Sequence, residues 1–113
     1  MATLVWASTA EATYSDLRSA AQTSLDKRRA GGKASKAEGL FKQVKKAIDL
    51  LANNPRHPSL HTHKYNDIDN PYDPSQPVFE AYAQNKTPGA YRIFWCYGPK
   101  KADITIIAIT PHP

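Results

Sequence analysis

The sequence predicts an α+β fold in which a helical hairpin packs on one face of a mainly antiparallel sheet, in the order β-α-α-β-β-β-β. Between Ser8 and Asn54 the apolar residues recur every three or four positions, as in amphipathic helices. Beyond Pro55 the apolar period changes to two, and turn residues separate short runs rich in aromatic and β-branched side chains. The 113 residues suit one domain, residues 1–113.

The N-terminal part is predicted to begin with a strand and a first helix. Thr3 to Trp6 is short and rich in residues that favour strands. Ser8 and Glu11 have the spacing of a capping box, so a helix should begin there. The helix should run to about Arg29, because Gly31-Gly32 then breaks it.

The second helix has the clearest pattern in the sequence. Ser35 and Glu38 form a second capping box, and Asn53-Asn54-Pro55 ends the helix. Its apolar stripe consists of Leu40, Phe41, Val44, Ala47, Ile48 and Leu51. Its outward face carries Lys42, Lys45, Lys46 and Asp49. The two helices, joined by a short glycine-containing turn, predict the hairpin.

The C-terminal part predicts four strands and one long loop. The predicted strands are His61–Tyr65, Val78–Gln84, Ala90–Tyr97 and Asp103–Thr110. Residues 66–77 hold three prolines and three aspartates, which is typical of a loop. The last strand is apolar on both faces, so it should lie centrally in the sheet. Pro111 should end it, because proline cannot donate to the ladder.

The charge is uneven along the chain. Lys and Arg number 15 against 10 Asp and Glu, a formal net charge of +5. Residues 27–46 hold eight basic side chains against Glu38 alone, whereas residues 65–113 have a net charge of −1. The positive part favours an acidic partner, either nucleic acid or an acidic protein, and salt should weaken that attraction. A solvated charged surface would give the same pattern.

Several protein classes are excluded by what the sequence lacks. The single cysteine, Cys96, forms neither an internal disulfide nor a cysteine-based zinc site, and is expected to be a small buried hydrophobe. Residues 1–12 lack the pattern of a signal peptide, and no apolar run is long enough to span a membrane. A cytoplasmic protein without a membrane partner is therefore expected. No phosphate-binding glycine loop or dinucleotide fingerprint is present.

Four stretches, in this order, resemble the RelE/ParE superfamily of toxins from type II toxin–antitoxin systems. They are Leu50-Leu51-Ala52-Asn53-Asn54-Pro55, Pro58–Tyr65, Val78–Tyr82 followed by Tyr91-Arg92-Ile93-Phe94-Trp95, and Ile104–His112. The resemblance implies a strand, a helical hairpin and a curved, mainly antiparallel sheet. RelE- and HigB-like members cut mRNA, usually on the ribosome, whereas ParE-like members poison DNA gyrase. Both kinds are held inactive by a cognate antitoxin, which should be acidic here.

The resemblance implies a set of catalytic residues for RNA cleavage without a metal ion. When the 2′-hydroxyl attacks the neighbouring phosphate, one group must take its proton, another must protonate the leaving oxygen, and cations must stabilise the phosphorane. Arg92 matches the family's phosphate-binding arginine, although it could instead pair with Glu80 across the sheet. His112 would be the general acid or base, and His63 with Lys64 would be its counterpart and phosphate clamp. The residues Thr110 and Pro111 before His112 depart from the family's pattern of an acidic and an aromatic residue.

Further residues are candidates for nucleic-acid binding. They are Arg56, His57 and His61 before and within the predicted strand, Lys42, Lys45 and Lys46 on the second helix, and Tyr91. Each of them could also be an ordinary surface residue, and Trp95 is expected to pack in the core. His61 and His63 should lie on one strand face, because side chains alternate along a strand.

No cofactor or metal ion is expected, although two metal sites are conceivable from residue type. His61, His63 and His112 could supply three nitrogens to zinc. Asp67, Asp69, Asn70 and Asp73 resemble a calcium loop superficially, but they lack its glycine and its final glutamate. The sequence therefore leaves three functions open: an mRNA endoribonuclease toxin, a ParE-like or degenerate module that binds a protein, and a generic basic RNA-binding domain.

Overall fold

The computed structural model describes residues 1–28 and 31–112. Its elements are β1 (Leu4–Trp6), α1 (Ser8–Lys27), α2 (Lys36–Asn53), a 3-10 turn (Pro58–Leu60), β2 (His63–Tyr65), β3 (Val78–Tyr82), β4 (Tyr91–Tyr97) and β5 (Ile104–Pro111). The sheet order is β1-β5-β4-β3-β2, with β1 parallel to β5 and every other pair antiparallel. The predicted α+β fold and the central position of the last strand are confirmed.

The main core lies between α2 and one face of the sheet, here called the helix-facing face. Its buried residues include Val44, Ala47, Ile48 and Leu51 from α2 and Ala81, Ile93, Trp95, Ile104, Ile106 and Ile109 from the sheet. The apolar stripe predicted for α2 thus forms the core, although Leu40 and Phe41 at its start are only partly buried. Trp95 is 1% exposed, which confirms that it packs in the core.

One predicted capping box forms and the other does not. The Ser35 hydroxyl accepts from the Glu38 amide at 3.3 Å, and the Glu38 carboxylate accepts from the Ser35 amide at 2.9 Å. The box predicted at Ser8 and Glu11 is wrong, because the N-cap is Ala7 and no side chain caps it. Ala7 donates to the Ile106 carbonyl, so the chain passes directly from the sheet into the helix and Ser8 is already helical. The predicted end of α1, Arg29, lies outside the described residues.

The second capping box also joins the two helices. Glu38 accepts from the Arg28 side chain at 2.7–3.0 Å, and Ser24 donates to the Ser35 hydroxyl at 2.6 Å. The hydrogen bonds from Arg28, with those from Ser35, lower the pKa of Glu38 from 4.5 to about 2. One carboxylate therefore caps α2 and fastens the C-terminal end of α1 to it.

The stability supplied by Glu38 should depend on pH. Because the folded-state pKa is depressed, the stabilisation is complete above about pH 4.5 and is lost as the pH falls towards 2. Urea unfolding of the wild-type protein and of Glu38→Gln should therefore show a stability difference near neutral pH that shrinks across this range. A difference that stays constant with pH would show that the carboxylate charge contributes nothing through Arg28.

A β-bulge decides which residues of β5 face away from the helices. Trp95 pairs with Ile106 and Phe94 with Ala108, so Ile107 is an extra residue with no partner on β4. Alternation along the strand shifts by one position at this point. Ile109 consequently joins Ile106 in the helix-facing core, and Thr110 lies beside Arg92 on the other face, here called the distal face.

Residues 66–77, here called the cover loop, lie over part of the distal face. Ile68 packs against a second cluster of buried residues, Val78, Phe94 and Cys96. The Tyr72 hydroxyl hydrogen-bonds Thr105 at 2.8 Å, and the buried Asn70 side chain binds the Tyr72 amide at 2.9 Å. The loop therefore shields the middle of the sheet and leaves the edge around β2 open.

The remaining fold-related expectations concern Cys96 and membranes. Cys96 is fully buried in the second cluster, and burial raises the pKa of its thiol, so it behaves as the expected small hydrophobe. Neither helix in the described part of the chain is long and apolar enough to cross a bilayer.

Candidate functional site

The uncovered part of the distal face is centred on a histidine–carboxylate pair. His63 on β2 lies directly opposite Glu80 on β3, and its Nε2 lies 2.6 Å from Glu80 Oε1. The other ring nitrogen, Nδ1, lies 2.8 Å from the carbonyl oxygen of His61. Glu80 is 3% exposed, whereas 47% of the His63 side chain is exposed. The pair thus joins a buried carboxylate to an imidazole that solvent can reach.

The hydrogen bonds of His63 define how many protons the pair holds. A carbonyl oxygen can only accept, so Nδ1 must carry a proton. The short contact between Nε2 and Oε1 then requires one further proton between them, because two lone pairs would repel at 2.6 Å. Both ring nitrogens of His63 are therefore engaged, one by the His61 carbonyl and the other by the buried Glu80 carboxylate, while the rest of the ring is open to solvent.

Arg92 lies next to this pair but is largely buried. Its Nε is 3.9 Å from Glu80 Oε2, and both atoms are buried without a hydrogen-bond partner. Its Nη1 donates to the Gln84 carbonyl, and its guanidinium lies 3.6 Å from the centroid of the Tyr82 ring. Arg92 is 7% exposed, so the proposed contact with a phosphate requires its side chain to move. The pairing with Glu80 is long and open rather than a closed bidentate salt bridge.

Tyr82 connects the histidines with Arg92. Its ring centroid is 5.0 Å from that of His61 and 5.9 Å from that of His63. The expectation that His61 and His63 share a strand face is wrong, because β2 begins at His63 and His61 has a left-handed backbone after the 3-10 turn. The two imidazoles come together through Tyr82 and not through strand alternation.

The backbone register brings His112 towards the same region. Thr110 pairs with Arg92, and the His112 amide donates to the Ala90 carbonyl at 2.8 Å, so the ladder continues to this residue. Beyond the bulge, alternation gives position 112 the same face as Thr110. Diagonal neighbours on adjacent strands are about 7–8 Å apart, which puts the His112 backbone within side-chain reach of Arg92. His63, Glu80 and Arg92, followed by His112 just beyond the end of β5, thus form a diagonal series across the sheet, here called the polar row. Its two ends, His63 and His112, are three strand spacings apart, which is about 14 Å across the sheet.

A groove beside the β2 edge, here called the edge groove, has a volume of about 450 Å³. Its lining includes the basic or titratable residues Arg56, His57, His61, His63 and Lys64 and the aromatic residues Phe79, Trp95 and Tyr97. Lys64 pairs with Phe79 and so belongs to the opposite strand face from His63. The structure therefore separates Lys64 from the polar row and groups it with Arg56 and His57 in the edge groove.

The other predicted nucleic-acid ligands lie away from the polar row. Tyr91 packs against the helix-facing core and is partly buried there. Lys42, Lys45 and Lys46 are exposed on α2, as predicted, and Lys45 forms an ion pair with Asp49 at 3.0 Å. Lys46 is the one of the three that lines a small cavity with Tyr82. The three lysines therefore lie on the solvent-exposed surface of α2.

The conceivable metal sites are not assembled. No group of three histidine, cysteine or carboxylate side chains within residues 1–28 and 31–112 is arranged to hold a metal ion. The zinc set of His61, His63 and His112 is thus not formed, and both nitrogens of His63 are already engaged. In the cover loop, Asn70 accepts hydrogen bonds from backbone amides and Asp73 accepts one from Ser75, so these side chains stabilise the conformation of the loop.

Glu80 is the site residue that sequence reasoning assigned only to a salt bridge. Its signal in the sequence was a carboxylate at an inward position of a strand that is otherwise apolar and aromatic. A buried carboxylate is costly unless it is paired, and such groups cluster at functional sites. The structure shows that His63 is its closer partner, at 2.6 Å against 3.9 Å for Arg92.

The chain was compared with known proteins by sequence and by structure. No protein-family model matches it, and no curated protein matches its sequence. In structure it is similar to the archaeal RelE of a RelE-RelB complex from Pyrococcus horikoshii OT3, with 14% identity, 97% of this chain and 93% of that chain covered, and a TM-score of 0.55. It is also similar to a YoeB/ParE toxin from Agrobacterium tumefaciens, with 10% identity, 98% of this chain and 99% of that chain covered, and a TM-score of 0.58. Over nearly its whole length, the chain has the fold of the RelE/ParE-type toxins.

Proposed function

We propose that this protein is the toxin of a type II toxin–antitoxin pair and that it cleaves mRNA in the cytoplasm by proton transfer between its own side chains. The observation that carries this proposal is the His63–Glu80 pair, in which an imidazole open to solvent contacts a buried carboxylate at 2.6 Å. The fold shared with RelE and with the YoeB/ParE toxin supports the toxin role. Arg92 and His112 continue the same face towards β5.

The polar row offers the two proton-transfer groups that RNA cleavage needs. The 2′-oxygen forms a bond to phosphorus, and the bond from phosphorus to the 5′-oxygen breaks. The two remaining tasks are assigned to the His63–Glu80 pair and His112: one accepts the 2′-hydroxyl proton and the other gives a proton to the 5′-oxygen. Because these groups stand at opposite ends of the polar row, the chain after β5 must fold towards β2 for both to reach one phosphodiester. The products are then a 2′,3′-cyclic phosphate and a 5′-hydroxyl.

The positive charge beside the pair suits the phosphorane. Arg92 contributes its positive charge from beneath the Tyr82 ring, and direct contact with a phosphate oxygen requires its guanidinium to leave the Gln84 carbonyl. The exposed Arg56 and Lys64 lie at the edge groove, and Lys42, Lys45 and Lys46 lie on α2. These side chains would steer RNA or the ribosome towards the site, in a manner that salt weakens.

The function is tested by incubating the purified protein with single-stranded RNA, with and without ribosomes, and analysing the new ends. The proposal expects a 2′,3′-cyclic phosphate and a 5′-hydroxyl at each cut. Cuts that instead leave a 5′-phosphate would overturn the assigned chemistry. An RNA with sulfur in place of the leaving 5′-oxygen separates the two proton transfers, because it restores cleavage to a variant that lacks the acid and not to one that lacks the base.

The fold comparison also motivates an antitoxin partner. The archaeal RelE was solved as a complex with RelB. We propose that this chain binds a cognate antitoxin, and the net charge of +5 makes an acidic one the better match.

One observation favours a second function, inhibition of a partner protein without catalysis. The Arg92 guanidinium is 7% exposed and donates to the Gln84 carbonyl, as a structural arginine would. The two functions differ in the response of growth arrest to the double variant Arg92→Ala/His112→Ala. Arrest that persists while the variant remains folded supports the inhibitor, and arrest that disappears together with RNA cleavage supports the nuclease.

A further inference from the structure

The edge groove has two properties that the proposed cleavage chemistry does not use. Its aromatic side chains form a connected set: Phe79 stacks on Trp95 with centroids 4.7 Å apart, and Tyr97 contacts both rings edge-on at 6.0 and 5.1 Å. Tyr97 is 42% exposed, so one aromatic ring of this set is open to solvent. Arg56 and Lys64, both exposed, add positive charge to the same groove.

A second observation comes from Trp95. This residue is 1% exposed and lines the groove, yet its indole Nε1 finds no hydrogen-bond partner among the described residues. A buried donor without an acceptor costs free energy, so such groups call for an explanation. An aromatic surface beside cationic side chains is typical of sites that bind a nucleobase with its phosphate.

We propose that the edge groove binds one nucleobase of single-stranded RNA whose backbone passes around the β2 edge to the polar row on the other face of the sheet. This inference rests on the proposed function. His63 links the two regions, because it lines the groove and also shares a proton with Glu80. The volume of about 450 Å³ lies within the range of pockets for small ligands, about 300–1,000 Å³, and suits one nucleotide rather than a long peptide.

The test is a binding measurement with a short, fluorescently labelled RNA whose 2′-hydroxyls are methylated. This probe lacks the attacking hydroxyl, so its binding is measured independently of cleavage. Replacing Tyr97 by alanine should weaken binding about tenfold, the typical loss for one stacked base, whereas Tyr97→Phe should bind like the wild type. Thermal unfolding of both variants is measured as well, and binding is compared at a temperature at which both are folded, which separates lost stacking from lost structure.

A matched pair of charge variants locates the phosphate contact. Arg56 follows α2 and Lys33 precedes it, so the two residues lie beyond opposite ends of an 18-residue helix that is about 27 Å long. Arg56→Ala should weaken binding of the methylated probe and reduce its salt dependence, and Lys33→Ala should do so less. Equal effects of the two variants would show diffuse attraction and overturn a defined phosphate contact.

The outcomes distinguish failure of the nucleobase site from failure of the proposed nuclease function. If the wild type cleaves RNA and Tyr97→Ala binds the probe unchanged, the nucleobase site is wrong and the nuclease stands. If no RNA is cleaved but the probe binds with the expected sensitivity to Tyr97, the nuclease is wrong and the groove stands. If Tyr97→Ala impairs binding of the antitoxin and not of the probe, the groove is a protein-binding surface and the inference is overturned.

Discussion

Replacing Glu80 by glutamine should reduce RNA cleavage by about 10²- to 10⁴-fold, the usual effect of removing a proton-transfer group. Glutamine keeps the size and shape of the side chain, but its amide oxygen cannot hold the proton that the carboxylate shares with His63. The measurement is the single-turnover rate of cleavage of a labelled RNA by the two proteins.

Glu11→Gln is the matched control for this variant. It makes the same chemical change on an exposed side chain in the first turn of α1, on the other side of the sheet from the polar row. Its cleavage rate should equal that of the wild type. If Glu80→Gln cleaves at the wild-type rate as well, the His63–Glu80 pair has no part in the chemistry and the polar row is structural.

Replacing Gly98 by alanine should destabilise the protein by about 2–6 kcal/mol. Gly98 has φ +128°, and a Cβ built there would lie 2.6 Å from the Tyr72 ring. The backbone conformation alone costs about 1–3 kcal/mol for a residue with a side chain, and the steric overlap adds about 1–3 kcal/mol. Urea unfolding measures the total decrease in the free energy of unfolding. The cover loop should also detach from the sheet, because the displaced Tyr72 ring carries the hydroxyl that binds Thr105.

Two comparisons divide this cost into its parts. Gly31 has φ +120°, but a Cβ there would meet no atom within 4 Å, so Gly31→Ala should show only the backbone term. In a Tyr72→Ala background the steric term disappears, and Gly98→Ala should cost less than it does alone. An equal cost in both backgrounds would mean that the Tyr72 ring does not restrict Gly98.

The local elements of the fold were predictable because short-range chemistry defines them. The stripe of α2 and its capping box at Ser35 and Glu38 depend on residues three or four positions apart, and both formed. The box at Ser8 has the same residue spacing but failed. Its helix start is fixed by a long-range hydrogen bond from Ala7 to Ile106, which no local pattern reveals.

The site was predictable in part, and the missing part depends on long-range packing. The position of His112 relative to Arg92 depends on the bulge at Ile107, which reverses the alternation expected from an uninterrupted strand. The burial of Arg92 depends on Tyr82 and Gln84 across the sheet. The sequence suggested Arg92 as the partner of Glu80 across the sheet; the closer contact from His63 depends on the register of β2 against β3, which no local pattern reveals.

The most direct test of the nuclease is to map mRNA 5′ ends in bacteria after induced expression of the wild type and of Glu80→Gln/His112→Ala. The proposed function predicts growth arrest and new 5′ ends with the wild type, and neither with the double variant at equal protein level. Growth arrest by both proteins, without new 5′ ends, would contradict it.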